Sequence, residues 1–422
     1  MDERIVSLAV FLIAYILFVF LPQKRMQVSV VAAGSLVLLQ TVSIKEAFLA
    51  INWNVMGIFV GTLIVADIFM KSRVPAYLAE VIVNRAKDTR ASILLICFMT
   101  GFISAFVENV ATVLIVAPIA LSLARKLKIN PVKMMIAIAI SSNLQGAATL
   151  IGDPPSMLLG GFAKMNFGDF FFYQGRPSIF FAVELGALVS LVVLYFIFSN
   201  HKEKQNILRV EKVKSWVPTI LLATLIVLLA ATSFFDVSFS YMAGILCLLF
   251  GIISLIWEKF INKSSIIAGL KELDWETTFF LMGVFVLVGG ITVCGWIEIV
   301  SAKLSTVVNG NILFGYIALI IISVIISAFV DNVPFLAAML PVAISISDKL
   351  NISHSLLLFG LLIGASLGGN ITPIGASANI VACGLLKKEG YRVGFKEFAK
   401  IGVPFTFAAV VAAGVFVWLI WS

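Results

Sequence analysis

Residues 104–110 read SAFVENV and residues 327–333 read SAFVDNV, so a carboxylate, Glu108 or Asp331, stands beside an asparagine, Asn109 or Asn332, inside a long apolar run. The single exchange between the two strings keeps the acid. A carboxylate at membrane depth costs about 2.5–3.5 kcal/mol even on a lenient insertion scale, so such residues face a cavity and work. Burial favours the protonated form, whereas a cation or a helix N-terminus favours the ionised one. A carboxyl group poised between these effects can exchange a proton for a sodium ion. Ser104 and Ser327 precede their acids by four residues, on the same helical face, and each adds a hydroxyl oxygen. Glu108 and Asp331 are therefore the expected coupling residues. Sodium is expected at Ser104, Glu108 and Asn109 and at Ser327, Asp331 and Asn332. Both acids can also serve as internal helix caps, but the repeated placement favours function. Pro334 suits the first turn of a helix capped by Asp331, whose dipole keeps that acid ionised. Glu108 is thus the expected proton carrier and Asp331 the lasting cation ligand.

These groups need a membrane to make sense. Of 422 residues, 61% are hydrophobic and 12% charged, where soluble domains carry roughly 25% charged residues. Ten apolar segments read as crossings: 5–21, 28–43, 54–70, 131–163, 178–198, 216–232, 238–258, 277–293, 354–386 and 402–421. The first runs into LPQKRMQV with no small-residue cleavage site and reads as an uncleaved helix. Cys97, Cys247, Cys294 and Cys383 stand singly in apolar surroundings, as core residues do. The net charge of +8 lies in short loops and reports topology, with no nucleic-acid partner implied.

Two further apolar stretches, about 92–125 and 311–348, carry the acidic strings near their middles. If both are re-entrant hairpins, 24 of the 30 basic residues fall on one side of the membrane; if both cross, the residues divide 15 to 15. The positive-inside rule favours hairpins, with both termini outside. A constant offset of 223 residues aligns Glu108 with Asp331, Pro118 with Pro341, Gly146 with Gly369, Thr149 with Thr372 and Gly152 with Gly375. Five crossings per half is an odd number, so the second half is expected upside down, the inverted-repeat plan of secondary transporters. The expected organisation is a first repeat at 1–198, a basic cytoplasmic linker at 199–215 and a second repeat at 216–422. The fold class is an all-α polytopic membrane protein of ten crossings and two hairpins.

Each half also carries a Gly/Pro-rich interruption, QGAATLIGDPPS at 145–156 and LGGNITPIGASAN at 367–379. Broken backbone survives at membrane depth only where protein or a water-filled cavity satisfies it. The glycines are expected to permit backbone angles that turn carbonyls toward a cation. Candidate ion and substrate ligands here are Asn143, Gly146, Thr149, Asp153, Gly369, Asn370, Thr372 and Asn379. Asp153 has Ala376 at its partner position, which leaves function and turn chemistry equally open. Asp67 and Glu184 lack repeat partners and rank second.

SAFVENVATVLIVAP, GAATLIGDPPS, SAFVDNVPFLAAMLP and GGNITPIGASANIVACG resemble the signature segments of the ion transporter superfamily, in the branch holding the ArsB arsenite pump, the NhaD sodium/proton antiporter and the melanosomal P-protein. The resemblance implies a scaffold domain and a transport domain holding both hairpins, homodimers, and an elevator motion. In the dicarboxylate-carrying branch the hairpin tips read Ser-Asn-Thr, whereas here they read Glu108-Asn109-Val110 and Asp331-Asn332-Val333. A dianion would meet two carboxylates and lose hydroxyl donors, which disfavours dicarboxylates. The leading expectation is proton-coupled cation antiport, with Na+ and H+ as coupling ions, no cofactor, and a bacterial cytoplasmic membrane as the location. Arsenite or antimonite efflux is the alternative, and an ion channel also remains open. An intramembrane enzyme is disfavoured because HExxH and GxGD are both missing, Asp153 following Leu150-Ile151-Gly152.

Overall fold

The computed structural model describes residues 2–127, 129–201, 211–236, 238–262, 265–308 and 311–422. Of the expected linker, residues 202–210 lie outside the described residues. The first half contains α1 (Glu3–Phe20), α2 (Arg25–Leu38), α3 (Ile44–Ala50), α4 (Trp53–Lys71), α5 (Val74–Asn84), α6 (Thr89–Ser104), α7 (Asn109–Leu127), α8 (Val132–Gly146), α9 (Pro154–Ala163) and α10 (Ile179–Ile197). The second contains α11 (Val217–Thr232), α12 (Met242–Asn262), α13 (Ile266–Glu272), α14 (Trp275–Val293), α15 (Trp296–Val308), α16 (Ile312–Ser327), α17 (Asn332–Leu350), α18 (His354–Gly368), α19 (Ser377–Lys388) and α20 (Phe395–Trp421). Among the described residues the one departure from helical secondary structure is a two-stranded antiparallel ribbon, β1 (Phe172–Tyr173) with β2 (Arg176–Pro177). Its turn is made by Gln174 and Gly175, both in the left-handed region.

Among the described residues nine helices are long and apolar enough to cross a membrane: α1, α4, α7, α10, α12, α14, α17, α20, and α18 taken on to Ile371. Ten crossings were expected, and the difference is local. The segment at 28–43 yields a helix of only 14 residues, because Gln40 takes a left-handed turn just after it; at 1.5 Å per residue that helix is about 21 Å long, short of a hydrocarbon core of about 30 Å. α11 has 16 residues. The segment at 131–163 is broken into α8 and α9, of 15 and 10 residues, whereas the break at 354–386, between α18 and α19, leaves α18 among the nine. Conversely α7 and α17, placed inside hairpins from the sequence, are each 19 residues long.

Local chemistry sets the helix starts. Asn52 caps α4 by accepting from the Val55 amide at 3.1 Å, and Asp274 caps α14 by accepting from Thr277 at 2.9 Å. The tryptophan opening each of these helices returns its indole N–H to the carbonyl five residues back, Trp53 to Phe48 and Trp275 to Leu270. The similar strings WNVMGIFV and WETTFFLMGVFV thus fold alike. Packing then crosses between the halves: α4 lies against α12, α2 against α14, and α10 against α20. Small residues permit the close approach. A Cβ on Gly61 would stand 2.2 Å from the Cys247 carbonyl carbon, and one on Gly283 2.7 Å from Ser29 Cβ. Outward faces carry Phe20, Phe407 and Leu419, each at least 70% exposed, as lipid-facing positions do.

Candidate ion and substrate site

The acidic strings form the turns of two helix–turn–helix pairs, α6–α7 and α16–α17. α6 ends at Ser104 and α16 at Ser327; α7 begins at Asn109 and α17 at Asn332. Both acids cap the helix that follows. Glu108 Oε2 accepts from the Ala111 amide at 2.9 Å, and Asp331 Oδ1 accepts from Val333 at 3.0 Å. Capping uses one oxygen of each carboxylate and leaves the other to face its surroundings.

Those surroundings differ. The second oxygen of Asp331 accepts from Arg25 Nη1, at the start of α2. The same guanidinium donates to Thr277 Oγ1 at 3.1 Å and lies 5.1 Å from the Phe280 ring centre. The expectation of a sodium ion at Ser327, Asp331 and Asn332 therefore meets another arrangement, in which the cation beside Asp331 is the protein's own Arg25. Ser327 is turned away as well, donating to the Ala365 carbonyl. The Asn332 side chain makes no hydrogen bond among the described residues. Glu108 has no ion-pair partner among the described residues. It lines a crevice with Thr62 and Ala66 of α4, Phe106, Asp153 and Met157, with room for a single water-sized guest. Asp153 performs turn chemistry there too, capping α9 through the Ser156 amide at 2.9 Å.

The other candidates form one connected polar network. Asn109 Nδ2 donates to Asn143 Oδ1 at 3.1 Å, and Asn143 Nδ2 donates to Asn370 Oδ1 at 3.0 Å and Asn379 Oδ1 at 2.9 Å. Asn379 Nδ2 donates to the carbonyls of Gly369 and Thr372, both at 2.9 Å. Backbone carbonyls only accept, so Asn379 must present its nitrogen to them, and every amide orientation upstream follows. The chain's free ends are thereby fixed: Asn109 Oδ1, an acceptor at the α6–α7 tip, and Asn370 Nδ2, a buried donor with no partner among the described residues. Ser104 accepts from Ser142 Oγ at 3.0 Å, and Ser142 Oγ also lies 3.1 Å from the Asn109 carbonyl oxygen.

The interruptions hold the tips. Thr149 donates to the Ala105 carbonyl, and 223 residues on, Thr372 donates to the Ala328 carbonyl. Ser156 reaches the Gly146 carbonyl at 3.4 Å, as Asn379 reaches that of Gly369. The expectation that glycine angles turn these carbonyls toward an ion is therefore corrected, because side chains of the following helices take them, as buried carbonyls require. Nor do these glycines have left-handed backbones. They are needed for space: a Cβ on Gly152 would lie 2.3 Å from the Gly146 oxygen, and one on Gly375 2.5 Å from the Gly369 oxygen.

The second-rank acids are engaged elsewhere. Asp67 pairs with Lys71 at 2.7 Å, and Lys71 with Glu272 at 2.8 Å. That hydrogen bond holds the Glu272 carboxyl below its usual range. Glu184 accepts from Gln145 at 2.9 Å. Sequence reasoning missed Arg25, which it counted only as a loop charge, and Ser142, whose repeat partner is Ala365. The one signal for Arg25 was its place directly behind the first apolar segment.

The sequence model of the family described as citrate transporter, CitMHS, matches residues 15–263 and 245–422. The chain belongs to the CitMHS family. CitMHS membership makes it an integral membrane transporter and not an enzyme. It is 26% identical over 426 residues to a 46 kDa membrane protein of Mycobacterium leprae, covering 98% of each chain. An uncharacterised transporter of Mycobacterium tuberculosis is 27% identical over 428 residues, again with 98% of each covered. The human P protein is 25% identical over 435 residues, which cover 84% of this chain and 52% of the P protein. In fold the CitMHS chain is similar to the YdaH transporter of Alcanivorax borkumensis, with a TM-score of 0.62 at 13% identity over 99% of this chain and 98% of that one. It is also similar to MtrF of Neisseria gonorrhoeae, which is described among antimetabolite efflux pumps, with a TM-score of 0.57 at 13% identity over 90% and 83%.

Proposed function

We propose that this transporter is a secondary active one in which Glu108 carries the coupled proton, exchanging it most simply for a monovalent cation such as Na+. The observation that supports this most is the asymmetry of the two acids. Asp331 already has a cation beside it, while Glu108 faces a crevice with only another carboxylate, Asp153. Two carboxylates facing one low-dielectric crevice repel each other, and a proton or a cation between them relieves that repulsion. A cation entering that crevice would find the carboxyl groups of Glu108 and Asp153, both of which line it. Hard monovalent ions favour such oxygen donors.

The topology belongs to the same reading: α6–α7 and α16–α17 are re-entrant hairpins in two inverted repeats, 1–198 and 216–422, with both termini outside the cytoplasmic membrane of a bacterium. The charge count supports it, as does the recurrence of hydrogen bonds at the 223-residue offset. α1, α2, α4, α12 and α14 form the scaffold, and the two hairpins with the broken helices form the moving body of an elevator, working as a homodimer.

A second reading is favoured by one feature of the network. The unpartnered Asn370 Nδ2 is a donor and suits an oxyanion or hydroxyl. A carboxylate substrate, of the kind after which the family is described, or a neutral arsenite would meet it. The purified chain in proteoliposomes, with an internal pH dye and challenged in turn with Na+, Li+, K+, citrate and arsenite, separates the readings. Proton release on addition of Na+ or Li+ alone supports cation exchange; movement with citrate or arsenite alone rejects it.

A further inference from the structure

We propose that the Arg25–Asp331 ion pair is a one-sided latch: Arg25 is a tethered counter-cation that holds the α16–α17 tip against the α1, α2 and α14 helices in one end state and must release it in each transport cycle. The proposal rests on the elevator reading above.

The head of Arg25 is built into the scaffold side. Thr277 and Phe280, both on α14, fix the guanidinium, and Thr277 Oγ1 spends its proton on Asp274 Oδ2 at 2.6 Å, so that its lone pairs face Arg25. Asp331 belongs to the other body, at the turn between α16 and α17. A second bond runs in parallel: the Tyr15 hydroxyl of α1 donates to the Pro334 carbonyl, in the first turn of α17, at 2.7 Å. α1, α2 and α14 thus converge on one turn of chain.

Among the described residues the first half has no counterpart. Its α4 packs on α12 as α14 packs on α2, but α12 opens Met242-Ala243-Gly244 with no basic residue, and Val55 stands where Thr277 would be. An interaction made by one tip only favours one of two end states, which is what a two-state carrier needs to have a defined resting position. The pair is also releasable. The two side chains are 25% and 27% exposed, so neither is sealed inside the protein as in a fully buried pair, whose parting would leave bare charges.

The test reads position instead of flux. Val330→Cys is placed in the full chain lacking its four native cysteines and labelled with a membrane-impermeant maleimide from each side of the membrane. Arg25→Gln should slow labelling several-fold from the side on which Arg25 lies and speed it from the other. The exchanged pair Arg25→Asp with Asp331→Arg should restore the original rates, and Arg25→Lys should fall between. Unchanged rates in Arg25→Gln overturn the latch, and so does a change that the exchanged pair fails to reverse. Gel filtration of every variant confirms that it folds. Because labelling does not depend on which ion is coupled, a failed latch leaves the proton role of Glu108 standing, and loss of that role would show only in flux.

Discussion

Arg25 donates to the carboxylate of Asp331, whereas the matching acid, Glu108, stands without a cation among the described residues. Two nearly identical strings are thereby given different charges to manage. One acid is paired with a tethered guanidinium, and the other is left to the proposed proton or small cation.

The pair has a thermodynamic signature. Asp331→Asn leaves Arg25 a partly buried, uncompensated charge and should destabilise the chain by about 1–3 kcal/mol, less than the 3–5 kcal/mol of a fully buried pair. Arg25→Gln with Asp331→Asn should cost less than the two single changes together, since each removes the same interaction. Apparent melting temperatures in detergent read both; strict additivity would show that the pair contributes nothing.

Space at the interruptions should be equally decisive. Gly152→Ala and Gly375→Ala each drive a methyl group to within 2.3 and 2.5 Å of a backbone oxygen, so each should cost about 1–3 kcal/mol of stability and most of the flux. Gly384→Ala, with nothing within 4 Å of the new methyl, is the matched control and should behave as wild type. Equal behaviour of all three would place the tight contacts elsewhere.

The amide network predicts a directional effect. Asn379→Asp removes the donors that hold the Gly369 and Thr372 carbonyls and sets a negative charge against them, so it should abolish flux. Asn143→Ala leaves those bonds intact and should chiefly weaken substrate affinity, raising KM more than it lowers the maximal rate. Isotope-flux kinetics distinguish the two; identical defects would mean that the network acts as one structural unit.

Much of this arrangement was legible in the sequence, and the reason is spacing. The offset that aligns Thr149 with Thr372 also aligns the carbonyls they bind, Ala105 and Ala328, because the repeat preserves local geometry. The breaks at 145–156 and 367–379 showed through glycine and proline. What did not show was the reason for the glycines, since sequence cannot tell a special backbone angle from a close approach. Arg25 was illegible for another reason. It lies 306 residues from Asp331, and only the cross-packing of α2 on α14 brings it there. The length of α2 was overestimated because nothing in SLVLLQTVS marks Gln40 as a left-handed turn.

The central claim, that Glu108 carries the coupled proton, is tested most directly by Glu108→Gln in proteoliposomes under an imposed pH gradient. The variant should lose solute movement driven by the gradient, and proton movement driven by solute, while counterflow exchange of solute across the membrane persists. A Glu108→Gln protein whose flux keeps the wild-type dependence on pH would contradict it, and would leave Glu108 only the cap of α7.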